Sequence, residues 1–111
     1  QDLTAAEVKN KVKRVTRVMA ELGADLIKCF LTVDFHEVVE NLPIRAFTIG
    51  ADKLDNDLDV LKKAETSVAQ GARGIIFGRN IFLSDNPKSL VGALNSVIND
   101  GISPAQAVEA L

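Results

Sequence analysis

A single lysine interrupts an apolar run of strand length. Lys28 lies within ADLIKCFL, residues 24–31, where side-chain alternation would place Leu26, Lys28 and Phe30 on one face of a strand. A lysine amine forms an imine with a ketone only when it is unprotonated, and burial among apolar neighbours lowers the pKa of a lysine. The other lysines lie on predicted helices or in polar loops, where we expect nothing to lower their pKa. Lys28 is therefore a candidate nucleophile, and the alternative is a lysine whose stem packs while its amine reaches water.

A glycine and an arginine follow the apolar segment ARGIIF, residues 72–77. Gly78 and Arg79 stand at the start of a brief loop or single helical turn, RNIFLSDN. Backbone N–H groups at such a position carry partial positive charge that suits a phosphate, and an arginine can add a bidentate contact. The pair predicts a phosphate site, with an ordinary left-handed (αL) turn and a solvated arginine as the alternative.

A second glycine turn, Gly50-Ala51, follows the apolar segment IRAFTI, residues 44–49. It would supply the other wall of the same phosphate site. Asp52 beside a phosphate would be unfavourable, and Lys53 would serve equally well as a solvated loop residue. A simple strand-to-helix turn therefore stays open as the alternative.

The chain holds one histidine and one cysteine, His36 and Cys29. A lone cysteine excludes an internal disulfide, and a lone histidine without an identifiable partner argues against a metal site or a general-base role. We expect Cys29 to pack on the helix-facing side of its strand. The prediction is that the chain uses no metal and no cofactor.

Length, composition and charge restrict the class of protein that this chain can be. The chain has 111 residues, a formal charge of −2 and 47% hydrophobic residues, which fits one small globular domain. Acids and bases are mixed along the chain, so bulk charge predicts neither a nucleic-acid nor a membrane partner. No apolar run approaches the roughly 20 residues of a membrane span, and the first residues lack the apolar segment of a signal peptide. A cytoplasmic location is the default expectation.

The first helix carries both an apolar stripe and a basic run. Thr4 and Glu7 have the spacing of a capping box, and Gly23 is a natural stop. The stripe, of the kind that faces a core, is Val8, Val12, Val15, Val18/Met19 and Leu22. The basic run, expected to be a solvated face, is Lys9, Lys11, Lys13, Arg14 and Arg17.

Helical and strand patterns alternate along the chain. The order is one helix, then strand and helix three times, then a short terminal helix. Apolar strands between amphipathic helices predict an α/β protein with a parallel sheet covered by helices. The predicted helices are 4–22, 34–41, 55–70, 87–100 and 104–111, and the predicted strands are 24–31, 44–49 and 72–77. In the helix 55–70, the apolar residues expected to share one face are Leu58, Leu61, Ala64 and Val68.

Two architectures fit this alternation, a doubly wound sheet and a (β/α)8 barrel. A doubly wound sheet would usually place a glycine-rich turn after the first strand, but Phe30 to Asp34 contains no glycine. The glycines follow the second and third strands instead, as in the phosphate sites of barrels. The positions of these glycines favour the barrel. A complete barrel takes about 250 residues, however, and three strands cannot close one. We therefore expect a fragment, one half of a split protein, or a segment that pairs with other chains, and not a stable monomer.

Three segments resemble one known family: GADLIK, PIRAFTIGADK (residues 43–53) and GARGIIFGRNIF followed by DNP. They are similar to the last three βα units of archaeal-type class I fructose-1,6-bisphosphate aldolases. Relatives of that family are the autoinducer-2 phosphate thiolase and the archaeal aminodideoxyheptulosonate synthase. The resemblance covers nearly the whole chain, and GRNIF is its most specific part.

The resemblance implies that residues 1–111 are the C-terminal part of a single TIM-barrel domain. Lys28 would end the sixth strand as the imine-forming lysine, Gly50-Ala51 would follow the seventh strand, and Gly78-Arg79 the eighth. It also implies a Schiff-base aldolase or transaldolase-like lyase acting on a phosphorylated sugar, commonly a decamer. The partners would be that substrate, the missing N-terminal half of the barrel and further copies.

The chain departs from the family pattern in two places. Gly50-Ala51 replaces paired glycines, which would crowd the phosphate, and residues 30–33 (FLTV) replace a proline-tyrosine-threonine-glycine stretch near the substrate. The family's aspartate and tyrosine acid/base groups lie upstream of anything in this chain. The alternative function is therefore a non-catalytic half-barrel module for assembly or phosphate binding.

Overall fold

The computed structural model describes residues 2–111. The elements are α1 (Ala5–Glu21), β1 (Leu26–Cys29), α2 (Phe35–Glu40), β2 (Arg45–Ile49), α3 (Asp57–Ala69), β3 (Gly74–Ile76), α4 (Arg79–Phe82), α5 (Pro87–Asp100) and α6 (Pro104–Glu109). The predicted alternation of helix and strand is confirmed, and the segment after Gly78 forms the short helix α4.

The three strands form one parallel sheet in chain order, which confirms the α/β class. Lys28 on β1 is level with Phe47 on β2, and Phe47 is level with Gly74 on β3. A Cβ atom on Gly74 would lie 3.2 Å from the ring of Phe47. Glycine therefore lets this aromatic ring lie across the neighbouring strand.

Helices α2 and α3 cover the same face of the sheet. Ala46 and Thr48 share one face of β2, because they are two residues apart. Ala46 packs with Phe35 of α2, and Thr48 donates a hydrogen bond of 2.8 Å to Ser67 of α3. The strands follow chain order, and the helices cover one face. This arrangement fits successive βα units of a barrel, and it fits one half of a doubly wound sheet equally well.

Two buried clusters hold this side together. One surrounds Ile27 and Phe35, between β1, α2 and the start of β2, and the other surrounds Leu61 and Leu90, between α3, α5 and α6. All four side chains are fully buried. At about 1.5–3 kcal/mol for each large apolar side chain taken from water, these clusters are the main source of stability.

The buried face of α3 is displaced from the predicted stripe. We expected Leu58, Leu61, Ala64 and Val68 to share it. The structure buries Val60, Leu61, Ala64 and Ser67, and leaves Leu58 and Val68 partly exposed.

The opposite face of the sheet is uncovered. Leu26, Phe30 and Ile76 are 52%, 55% and 40% exposed, and Lys28 is exposed beside them. The predicted alternation in β1 is therefore confirmed, with Ile27 and Cys29 buried and Leu26 and Lys28 on the open face.

The apolar stripe of α1 is also largely uncovered in this chain. Val15, Val18 and Leu22 are 54%, 50% and 83% exposed, while Thr16 is the buried residue of the helix. An apolar stripe indicates a helix surface that packs against another segment, but it does not indicate which segment.

Charged side chains attach α1 to α2. Lys9 forms an ion pair with Glu37, and its side chain is only 15% exposed. Arg17 donates to the carbonyl of Asn41 at 2.9 Å and pairs with Glu21. The expectation of a solvated basic face was therefore wrong for Lys9, whereas Arg17 is exposed as expected.

The sequence signals at both ends of α1 are confirmed. Thr4 and Glu7 form the predicted capping box, with the Glu7 N–H donating to Thr4 Oγ1 at 3.2 Å and the Thr4 N–H donating to Glu7 Oε2 at 2.7 Å. Gly23 follows the end of α1 with a φ of 105°.

Within residues 2–111, no helix combines the length and the apolar character needed to cross a membrane.

Candidate active site

Lys28 is the penultimate residue of β1, on the open face of the sheet. It lines a groove of about 340 Å³ between β1 and α1, with Phe30, Ile49, Val15 and Met19 among the other lining residues. The expected position at the carboxyl end of the strand is confirmed. The expected burial among Leu26 and Phe30 is not present in this chain, because both neighbours are themselves about half exposed.

The turn after β2 approaches the turn after β3 closely. A Cβ atom on Gly50 would lie 3.1 Å from Asn80 Nδ2 and 3.2 Å from the ring of Phe77. Ala51, the next residue, has a φ of 56°, in the left-handed region that disfavours any residue with a Cβ. The two predicted walls of the phosphate site are therefore neighbours in space, and the alanine is strained where paired glycines would not be.

Arg79 is bound to the facing loop. Its guanidinium lies 3.1 Å from Asp52, and both side chains are exposed. Exposed ion pairs are weak, at about 0–1 kcal/mol, so an anion of higher charge can compete for the guanidinium. Because Asp52 is paired with Arg79, its negative charge disfavours a bound phosphate less strongly than an unpaired carboxylate would.

Asn80 holds the two turns together. Its side chain is fully buried, accepts a hydrogen bond of 2.7 Å from the Leu54 N–H, and donates one of 3.2 Å to the Asp52 carbonyl. Burial with both polar ends paired marks Asn80 as a structural brace of the site. The sequence placed Asn80 next to Gly78 and Arg79 but indicated no separate role for it.

Lys63 is the residue that sequence reasoning missed. It lies on α3, and its Nζ donates a hydrogen bond of 2.9 Å to the Gly50 carbonyl. Burial lowers its pKa, although Asp52 acts in the opposite direction. The expectation that nothing lowers the pKa of lysines outside the apolar strand was therefore wrong. Val60, Lys63 and Ser67 share one helical face, but the predicted apolar stripe of this helix included none of them.

Several backbone N–H groups at these turns, among them those of Ala51 and Gly78, have no hydrogen-bond partner within the described residues. Gly78 itself has a φ of −100°, so the alternative of a left-handed turn does not apply there. Together with Arg79, these N–H groups form a polar, cationic edge at the carboxyl ends of β2 and β3.

His36 and Cys29 lie outside this edge. Cys29 is buried on the helix-covered face as expected, and burial raises its pKa to about 11. The His36 ring lies 3.1 Å from the side chain of Gln70 on the exposed surface, so it does have a polar partner.

The fold and these residues define a class of protein. A parallel α/β chain with a lysine and two glycine turns at the carboxyl ends of its strands is compatible with part of a (β/α)8 barrel. The chain belongs to the DeoC/LacD aldolase family, whose family model matches residues 2–84.

Curated relatives agree with this membership. The chain is 33% identical over 98 residues to 2-amino-3,7-dideoxy-D-threo-hept-6-ulosonate synthase 1 of Archaeoglobus fulgidus, covering 88% of this chain and 37% of the relative. It is also 33% identical over 95 residues to the 3-hydroxy-5-phosphonooxypentane-2,4-dione thiolase of Escherichia coli K12, covering 85% of this chain and 32% of the relative. The chain thus spans roughly a third of the length of these proteins.

Solved structures agree as well. An archaeal fructose 1,6-bisphosphate aldolase superposes with a TM-score of 0.78 at 27% identity, over 88% of this chain and 40% of that one. A Schiff-base-forming fructose-1,6-bisphosphate aldolase gives the same values. The resemblance found in the sequence is confirmed, and the α/β fold matches part of a TIM-barrel aldolase.

Proposed function

We propose that the protein containing this chain is a Schiff-base aldolase or related lyase acting on a phosphorylated sugar. Residues 1–111 would be the last three βα units of its barrel, completed by an N-terminal half and assembled with further copies, a decamer by family resemblance. The observation that carries the proposal is the position of Lys28, on the open face of the sheet at the same edge as the two turns. In a closed barrel this face is the interior, where the segments that complete the barrel would bury Lys28.

The chemistry follows from the lysine amine. The unprotonated Nζ of Lys28 adds to the ketone carbonyl, and loss of water gives an imine. The protonated imine accepts the electron pair of the bond between the α and β carbons of the substrate as that bond breaks. A base outside this chain takes the hydroxyl proton, and an aldehyde leaves. The enamine that remains on Lys28 takes up a proton at carbon, and hydrolysis of the resulting imine then frees the product and the lysine.

The phosphate would be held by Gly50, Ala51, Gly78 and Arg79. The partnerless N–H groups of Ala51 and Gly78 and the weakly paired Arg79 support this assignment. Neither Asp52 nor Lys53 needs to contact the phosphate. Lys53 Nζ instead donates to the neighbouring carbonyl of Leu54 at 2.9 Å.

Substitution of Lys28 in the full-length protein tests the imine role. Lys28→Ala should abolish turnover of a ketose phosphate, and Lys28→Arg should fail too because a guanidinium stays protonated. Lys53→Ala is the matched control and should retain turnover. Activity that survives in Lys28→Ala would remove the assignment and leave a non-catalytic half-barrel module as the better explanation.

Substitution of Arg79 tests the phosphate site separately. Arg79→Ala should raise the KM for a phosphorylated substrate by a factor that corresponds to about 1.5–3 kcal/mol, the value of a hydrogen bond to a charged group. Arg73→Ala is a suitable control, since this exposed arginine lies at the opposite end of β3. An unchanged KM in Arg79→Ala would place the phosphate elsewhere.

A further inference from the structure

Lys63 occupies an unusual position for a lysine. It shares its helical face with the buried residues Val60 and Ser67, and its Nζ lies 5.9 Å from the centre of the Phe77 ring. Its side chain therefore runs between α3 and the end of β3, and the amine emerges beneath the Gly50 turn. This route brings a cation to the phosphate turns from the helix-covered side of the sheet.

The charge of Lys63 is incompletely balanced. No carboxylate within residues 2–111 lies within 4.0 Å of its Nζ, although Lys9, Arg17 and Arg79 all have such partners. Asp52 acts on Lys63 from a greater distance, and Asp52 is already paired with Arg79. A partly buried cation with only a carbonyl and an aromatic face as close neighbours favours a nearby anion.

The hydrogen bond to Gly50 also fixes the direction of a peptide group. The peptide bonds of the described residues are all trans, so the carbonyl of Gly50 and the N–H of Ala51 point in opposite directions. Lys63 holds the carbonyl toward α3, and the N–H of Ala51 must therefore point away from α3. This N–H donates to no described residue. The positive charge on the carbonyl side also polarises the N–H and strengthens it as a donor.

We propose that Lys63 is a positioning residue for the substrate's phosphate. It orients the Gly50–Ala51 peptide so that the Ala51 N–H donates to the phosphate, and it adds positive charge behind that donor. The inference rests on the proposed function, because it takes the turns after β2 and β3 as the phosphate site. It adds an element, α3, that the sequence assigned only to packing.

The experiment measures anion binding in the full-length protein with inorganic phosphate as a competitive inhibitor. Lys63→Met keeps the apolar stem over Phe77 but removes the charge and the donor. We expect the Ki of phosphate and the KM of a ketose phosphate to rise about three- to tenfold, as for loss of one partly screened charge. The kcat and the kcat/KM for an unphosphorylated ketose should stay within about twofold, since a role in phosphate binding does not touch them.

Two further variants control the result. Lys63→Arg retains a charged donor and should restore most of the phosphate affinity. Lys62→Met changes the exposed neighbour on the same helix and should leave the Ki unchanged.

The outcomes separate the inference from the proposed function. If Arg79→Ala raises the Ki of phosphate but Lys63→Met does not, the phosphate site stands and the role of Lys63 is wrong. If neither variant changes the Ki, the phosphate site itself is wrong. If Lys63→Met weakens phosphorylated and unphosphorylated substrates equally, or only lowers the thermal stability, Lys63 is a structural residue and the inference is overturned.

Discussion

The two faces of the sheet differ more than any other two regions of the molecule. On the helix-covered face, Ile27 is fully buried, and Cys29 and Ala46 nearly so. On the other face, Leu26 and Phe30 are about half exposed, and Lys28 stands between them. Consecutive residues of one strand thus serve different purposes. The covered face supplies the stability of the chain, and the open face supplies its candidate chemistry.

Truncation of a covered aromatic side chain should have the largest effect on stability. Phe35 is fully buried in the cluster around Ile27, so Phe35→Ala should lower the free energy of unfolding by about 3–5 kcal/mol. Phe82 is 79% exposed, and Phe82→Ala should change it by no more than about 0.5 kcal/mol. Chemical denaturation of the full-length protein measures both. Equal losses would mean that Phe82, on α4, is covered in the assembled protein.

The pH dependence of alkylation should distinguish Cys29 from an exposed thiol. Burial raises the pKa of Cys29 to about 11, so the folded state favours the neutral thiol. Its contribution to stability is complete below about pH 9, the unfolded value, and is lost as the pH rises toward 11. Iodoacetamide should therefore modify the peptide that contains Cys29 only slowly at pH 8, and rapidly after unfolding in denaturant. Fast modification of the folded protein at pH 8 would show that this face opens readily.

Replacement of Ala51 by glycine should have the smallest effect, and it should be stabilising. A left-handed alanine destabilises the folded chain by about 1–2 kcal/mol, and glycine would remove this strain. The greater flexibility of glycine in the unfolded chain offsets about half of the gain. Ala51→Gly should therefore raise the free energy of unfolding by up to about 1 kcal/mol. Ala6→Gly, in the exposed first turn of α1, should lower it by at most about 1 kcal/mol. A change of the same sign in both variants would show that Ala51 is not strained.

The sequence predicted those features that depend on near neighbours in the chain. The Thr4–Glu7 capping box and the alternation of Ile27 and Lys28 both follow from spacings of a few residues. The residue types at strand ends also predicted the turns at Gly50 and Gly78, which the structure brings together.

The features that sequence reasoning missed depend on distant contacts. Lys63 and Gly50 are 13 residues apart, and Asn80 and Leu54 are 26 apart, so no periodic pattern connects them. The exposure of Val15 and Leu22 was missed for another reason. Their stripe indicates an apolar surface, but the presence of its partner is a property of the assembly rather than of the helix.

Trapping of the imine tests the central claim most directly. The full-length protein is incubated with dihydroxyacetone phosphate and borohydride, which reduces an imine irreversibly, and its peptides are then analysed by mass spectrometry. The account predicts the mass of the reduced substrate on the peptide that contains Lys28, and no such label in Lys28→Ala. Label on Lys53 or Lys63 instead, or label that persists in Lys28→Ala, would contradict it.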